Sequence, residues 1–263
     1  MCIRDRFTSV DAGLRGPLVR HHLAMLSSEQ GQHADAEFHW KAALAEAPTF
    51  LPALLGLAEQ YLQQARWPEL EQQLAQLDHE PAAVLESAVL RARAHLARQE
   101  FSAARTLLEE VIRQTPHILT PYVILSHVLL QAGDESAAEP LLRRIIEIDP
   151  GQAESWRNLT VLFRRRGRLR EAIAAAQSGR VHCPRDPDLL LLHGALLREG
   201  GDLINAEPCL LRLLELDTGN GVACQRRATA RHNLALLCRD MGRDREAEAH
   251  LRALASERSG LRS

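Results

Sequence analysis

Apolar residues recur at intervals of three and four along nearly the whole chain, in blocks of about a dozen residues. In the block from Leu119, Tyr122, Leu125 and Leu129 fall on one face; in the next block Ala138, Leu142 and Ile145 do the same. An apolar stripe at this spacing predicts an amphipathic helix, so residues 119–150 read as two helices packed through their stripes. Gly133 stands where the first must stop, because glycine enters the left-handed cap conformation at little cost. Pro150 stops the second.

The pair recurs. At steps of 34 residues the Gly133 slot holds Gly31, Ala65, Gln99, Gly133, Gly167 and Gly201. The closing slot holds Pro48, Pro116, Pro150 and Pro184, with Pro81 one residue early and Thr218 as the exception. A small slot on the first helices reads Ala24, Ala58, Ala92, Ser126, Thr160 and Gly194. Its counterpart on the second helices reads Ala36, Leu70, Ala104, Ala138, Ala172 and Ala206. Small residues where two helices cross let the backbones approach, whereas larger ones overpack the contact. Gly242 stands 41 residues beyond Gly201, which places seven extra residues around Gly219–Gly221 and Cys224–Ala230. A seventh pair follows, with Leu234, Ala235, Gly242, Ala247, Leu251 and Leu254, and its second helix is charged as a helix facing water should be.

This helix–turn–helix period of 34 residues resembles the tetratricopeptide repeat, over roughly residues 17–257. The fifth repeat carries that family's aromatic, small and proline marks in order: Trp156, Leu159, Phe163, Gly167, Ala172 and Pro184. Arg91 and His193 stand where the first helix usually has Leu, and Leu70 where the second has Ala; local loosening is expected there. The resemblance implies an all-α fold, a right-handed α-solenoid of about seven tetratricopeptide-like repeats. The expected division is a lead-in at 1–16, repeats at 17–50, 51–84, 85–118, 119–152, 153–186, 187–220 and 228–259, and a tail at 260–263. Met1–Arg6 resembles read-through of a sequencing adapter, so these residues are expected to be non-native. Phe7–Gly16 has two glycines and no helical period, and reads as a linker.

Composition adds bounds. The chain of 263 residues is 46% hydrophobic, enough for a continuous core, with only 4% aromatic residues. A net charge of −2 argues against wholesale nucleic-acid binding. Five cysteines, Cys2, Cys183, Cys209, Cys224 and Cys238, show no paired spacing, which points to reduced thiols and a cytoplasmic setting. No apolar run reaches the length of a membrane span, and no secretory leader is visible.

In such a fold the inner wall is built from the exposed side of each first helix. One inward slot reads Ser28, Leu62, Leu96, Leu130, Arg164, Arg198, Arg239; a second reads His21, Leu55, Val89, Val123, Arg157, Leu191, His232. The candidate apolar contacts are therefore Leu55, Leu62, Val89, Leu96, Val123, His127 and Leu130. The candidate basic contacts are Arg157, Arg164, Arg165, Arg198 and Arg239. Arg157, Arg164 and Arg165 share a helix face, and a guanidinium fork suits carboxylate or phosphate. The expected function is a protein-interaction scaffold holding a peptide or partner helix in a concave groove, apolar in repeats 2–4 and basic from repeat 5, so that the partner carries an anionic segment. The plainer alternative is that the leucines pack on neighbouring helices and the arginines favour helix C-termini.

Signals of chemistry are weak. Asp186-Pro187-Asp188 has the Asp-x-Asp form of metal-dependent sugar transferases but lies in a turn before a helix, where Asp caps free amides. His21-His22 and Arg231-His232 lack a second ligand at metal spacing. No Gly-rich phosphate loop, Gly-x-Ser-x-Gly elbow or Cys-x-x-Cys occurs. No enzyme, cofactor or metal is expected within this chain. The five arginines between Arg164 and Arg170 read as a solvated turn rather than a nucleic-acid patch.

A second, shorter resemblance lies in Arg20-His21-His22-Leu23-Ala24-Met25-Leu26, echoed by Arg231-His232-Asn233-Leu234-Ala235-Leu236-Leu237 and preceded by Ser9–Gly16. It resembles the repeat tails that follow the catalytic domain of some bacterial family-2 glycosyltransferases. That implies a second reading, a non-catalytic tail of a larger enzyme truncated at its N-terminus, and places no catalytic residue on this chain. The repeats that clamp chaperone tails need Lys and Asn in successive inward slots, where this chain has Leu and Val.

Overall fold

The computed structural model describes residues 16–216 and 222–260, with side chains to Ser256. The sequence readings for residues 1–15, for Gly219–Gly221 and for the tail past Gly260 lie outside the described residues. Among the described residues there are 14 α-helices and no strand. They are α1 (Pro17–Glu29), α2 (His33–Glu46), α3 (Leu51–Gln63), α4 (Trp67–Leu77), α5 (Val84–Ala97), α6 (Phe101–Gln114) and α7 (Leu119–Gln131). Then come α8 (Glu135–Ile148), α9 (Ala153–Arg165), α10 (Leu169–His182), α11 (Pro187–Glu199), α12 (Leu203–Leu216), α13 (Val222–Asp240) and α14 (Asp244–Gly260). A 3-10 turn, Pro81–Ala83, leads into α5. No described helix is long and apolar enough to cross a membrane.

The helices form two compact units, residues 1–121 and 122–263. Within each, successive helices pack as hairpins, and the first helices of neighbouring hairpins also touch: α1 with α3 and α3 with α5 in one unit, α9 with α11 and α11 with α13 in the other. This is the packing of the α-solenoid class, in which each hairpin buries its stripe on its neighbours.

The turn slot explains the period. Gly31, Gly133, Gly167, Gly201 and Gly242 have φ of 74°, 75°, 70°, 82° and 73°. Ala65 and Gln99 take the same conformation, at φ 54° and 63°, despite their side chains. The residue after each closes the helix with a long-range amide bond, as in Arg66 N–H to the Tyr61 carbonyl at 2.9 Å and Asp134 N–H to Leu129 at 2.9 Å. An L residue with a Cβ is strained there, so Ala65→Gly and Gln99→Gly should each raise the stability of the first unit by about 1 kcal/mol. Chemical denaturation of each variant measures this; an unchanged or lower stability would mean that the turns carry no such strain.

Small slots do the packing. Ala24, Ala58, Ala92 and Thr160 are fully buried, as are Ala36, Ala104, Ala138, Ala172 and Ala206. Gly56 permits a closer approach still, since a Cβ there would lie 2.4 Å from Cε2 of Trp40. Leu70 fits the Ala slot of α4 without exposure.

Two expectations need correction. Arg91 and His193 do not loosen the packing; each exchanges an apolar contact for a polar one. Arg91 pairs with Asp78 at 2.8 Å, whose other oxygen accepts from Ser87 Oγ at 2.6 Å. His193 is buried, with Nδ1 2.7 Å from Nη1 of Arg180. The start expected at 228 for the seventh repeat falls inside α13, a helix of 19 residues. Buried Ala223, Cys224, Ala228 and Ala230 continue its apolar stripe backwards, so the inserted residues from Val222 onward lengthen the helix instead of looping out.

Candidate peptide-binding groove

In the first unit, side-by-side packing of α1, α3 and α5 leaves a groove of about 860 Å³. Its walls are mostly apolar: Met25 from α1, Leu51 and Leu55 from α3, Leu85 and Val89 from α5, and Ile118 beyond them. His21 and Ser28, from the two inward slots, also face it. Trp40 Nε1 donates to His21 Nδ1 at 3.1 Å. Burial, and then the neighbouring His22, lowers the pKa of His21, which suits a neutral ring accepting that bond.

Polar groups cross the floor. Arg93 on α5 grips Glu59 on α3 through two bonds, at 2.5 and 2.8 Å. Burial alone would push the Glu59 carboxyl up, but the Arg93 hydrogen bonds and charge outweigh it and hold the pKa below its usual value. The two residues occupy the same slot in successive repeats, 34 apart, and each lies one helical turn after Leu55 or Val89. Reading that third slot alongside the other two would have found them. Met25, Leu51, Leu85 and Ile118 were missed because groove walls include residues flanking the slots.

The sequence candidates divide. Leu55 and Val89 line the groove. Leu62 is buried within the core of the first unit, and Leu96 is half-buried away from the groove walls. Val123, His127 and Leu130 belong to the second unit. There His127 Nε2 lies 2.9 Å from Glu154 Oε1, Val123 is half-buried, and Leu130 lines a depression of about 270 Å³ with Asn158, Val161 and Arg165.

The arginines of the second unit are mostly matched to carboxylates. Arg157 Nη1 lies 2.8 Å from Asp186 and 3.3 Å from Asp188. Arg164 pairs with Glu199 at 2.9 Å, Arg165 with Glu135 at 3.4 Å and Arg198 with Asp240 at 3.3 Å. Arg239 is exposed. Arg166 and Arg168, in the same turn as Arg164, both reach Glu139, at 2.7 and 2.9 Å. Asp186 also caps α11, accepting from Leu189 N–H at 2.8 Å, as expected for the Asp-x-Asp triplet. Cys183, Cys209, Cys224 and Cys238 are free thiols, the last three buried.

Helical hairpins stacked through small slots, with left-handed turn residues 34 apart, define an α-solenoid of helical repeats. The tetratricopeptide repeat family model matches residues 89–153 and 125–189, so this stretch of the chain is built from tetratricopeptide repeats. No curated protein matches the sequence. Among solved structures, pilF of Pseudomonas aeruginosa is similar at 15% identity with a TM-score of 0.58, over 78% of this chain and 93% of its own. MamA is similar at 15% identity with a TM-score of 0.56, over 64% of this chain and 95% of that one. A tetratricopeptide repeat protein from Parabacteroides merdae, 15% identical, aligns over 92% of this chain and 93% of its own with a TM-score of 0.51. At these identities the likeness is one of fold alone.

Proposed function

We propose that this chain is a protein-interaction scaffold whose binding surface is the apolar groove of α1, α3 and α5, and that its ligand is an amphipathic helix or extended peptide. Repeats of this family typically mediate protein–protein interaction. The carrying observation is the groove: about 860 Å³, lined by Met25, Leu55, Leu85 and Val89, with the Glu59–Arg93 pair to orient a backbone or side-chain group. Apolar anchors one helical turn apart on a peptide match such a wall.

The second part of the proposal concerns the second unit by itself: Arg157, Arg164, Arg165, Arg198 and Arg239 take an anionic segment of a partner. Four of these already have acidic partners, and exposed pairs such as Arg164–Glu199 are weak enough to exchange for a ligand carboxylate.

Selecting displayed random peptides on the chain, then measuring the winners by fluorescence anisotropy, tests both parts. Leu55→Glu with Val89→Glu should weaken a selected peptide at least tenfold while helicity is kept. Arg157→Glu, Arg164→Glu and Arg198→Glu together should weaken only peptides bearing acidic residues. Selected peptides that ignore the Leu55/Val89 change would remove the groove from consideration.

A further inference from the structure

The charged groups lining the groove of α1, α3 and α5 do not balance. The titratable residues on its walls are His21, Glu59, Glu86 and Arg93. His21 accepts the Trp40 N–H as a neutral ring, and Arg93 is committed to Glu59. Glu86, exposed in the first turn of α5, has no hydrogen-bond or ion-pair partner among the described residues. One carboxylate is therefore in excess on a mostly apolar wall.

Later repeats show what this slot takes. At steps of 34 residues it holds Glu86, Thr120, Glu154 and Asp188. Both later acids are matched by a basic side chain of the preceding first helix. Glu154 meets His127, 27 residues earlier, at 2.9 Å; Asp188 meets Arg157, 31 residues earlier, at 3.3 Å. Asp188 also reaches Arg226 at 3.6 Å. Counting back the same 27 and 31 residues from Glu86 leads to Glu59 and Leu55, a second carboxylate and an apolar wall residue. Neither can serve as its counter-ion. While the groove is open, water solvates Glu86. A ligand that covers the groove strips that water away, and burying an unpaired charge is costly, so the ligand must bring a positive group of its own.

We propose, on the reading that this groove is the binding surface, that its occupant is a basic amphipathic peptide, with a lysine or arginine beside its apolar anchors to meet Glu86. The apolar side chains lie against Met25, Leu55, Leu85 and Val89. The cation reaches Glu86, which stands one helical turn before Val89 and Leu90 on the same helix. An arginine fork can bond both carboxylate oxygens, whereas a lysine presents a point charge. Acidic peptides are disfavoured here, because Arg93 is already spent on Glu59 and a ligand carboxylate would be brought against Glu86.

Displayed random peptides selected on the full chain are first sorted by their loss of binding to Leu55→Glu with Val89→Glu; the sensitive ones are groove ligands. These should be enriched in lysine and arginine. For a labelled groove ligand, fluorescence anisotropy should show binding weakened about twofold to fivefold by Glu86→Gln, the range of an exposed ion pair. Glu86→Lys, which sets like charges together, should weaken it by about tenfold or more. Changing the peptide's basic residue to glutamine should weaken binding to the wild-type chain but not to Glu86→Gln, and changing it to glutamate should restore binding to Glu86→Lys. A carboxylate in the first turn of α5 also favours the helix dipole, but that role would alter stability in denaturation without altering the charge preference of the ligands. Groove ligands with no basic preference, or bound equally well by Glu86→Lys, would overturn the proposal and leave the groove standing. A selection that yields no peptide sensitive to the Leu55 and Val89 changes would overturn both.

Discussion

Leu74→Ala should lower the stability of the first unit by ~2–5 kcal/mol, the range for truncating a buried leucine. Leu74 lies on α4, wholly buried, in a cluster with Leu54, Leu57, Leu70 and Leu77. The loss has two parts, the transfer free energy of the missing methyl groups and the cavity left behind. Collapse recovers little of the second part, because rigid helices hold the surrounding backbone on both sides. A solenoid adds a further consequence: each hairpin is stabilised chiefly by its immediate neighbours, so damage at one interface spreads to the adjoining ones. Denaturant titration followed by circular dichroism should show a lower midpoint, with a broadened transition if the hairpins begin to melt separately. A change within experimental error would place Leu74 outside the core.

Acid should weaken the second unit at a pH where carboxylates are still ionised. His193 is buried, and burial, followed by the nearby positive charge of Arg180, pushes its pKa down to about 4 from an ordinary 6.5. Between pH 6.5 and 4 the unfolded chain therefore binds a proton at this residue that the folded chain refuses. Stability is complete above pH 6.5 and falls as the pH drops to 4, with a full loss of about 3 kcal/mol. His193→Leu restores the residue found in this slot at Leu57, Leu125 and Leu159, and should flatten the profile in that window. If wild type and variant show the same slope from pH 6.5 to 4, the buried neutral imidazole is not its source. Glu37 works at lower pH. Burial opposes its ionisation, but hydrogen bonds from Arg66, Lys41 and Tyr61 prevail and bring its pKa down to about 2. Its contribution to the first unit is present above pH 4.5 and disappears as the pH falls toward 2.

The amino-acid sequence by itself determined the helical hairpin, its period and its packing slots. A left-handed turn residue, a small residue at a helix crossing and a three-four apolar stripe are local demands of backbone sterics and helix geometry. Hence the slot of Gly31, Ala65, Gln99 and Gly133 is legible from the order of residues alone, although two of its members are not glycine. Leu55 and Val89 were legible as groove residues for the same reason, since they share one inward slot 34 residues apart. Only the tertiary structure decided which candidates a ligand could reach and which charges were already matched. Leu62 turned into the core, and Arg157 found Asp186 and Asp188. Those outcomes depend on where the next hairpin places its side chains, at offsets such as 29 and 31 residues that do not coincide with the repeat period. Periodicity identifies residues that share a slot; it does not identify partners that meet between slots.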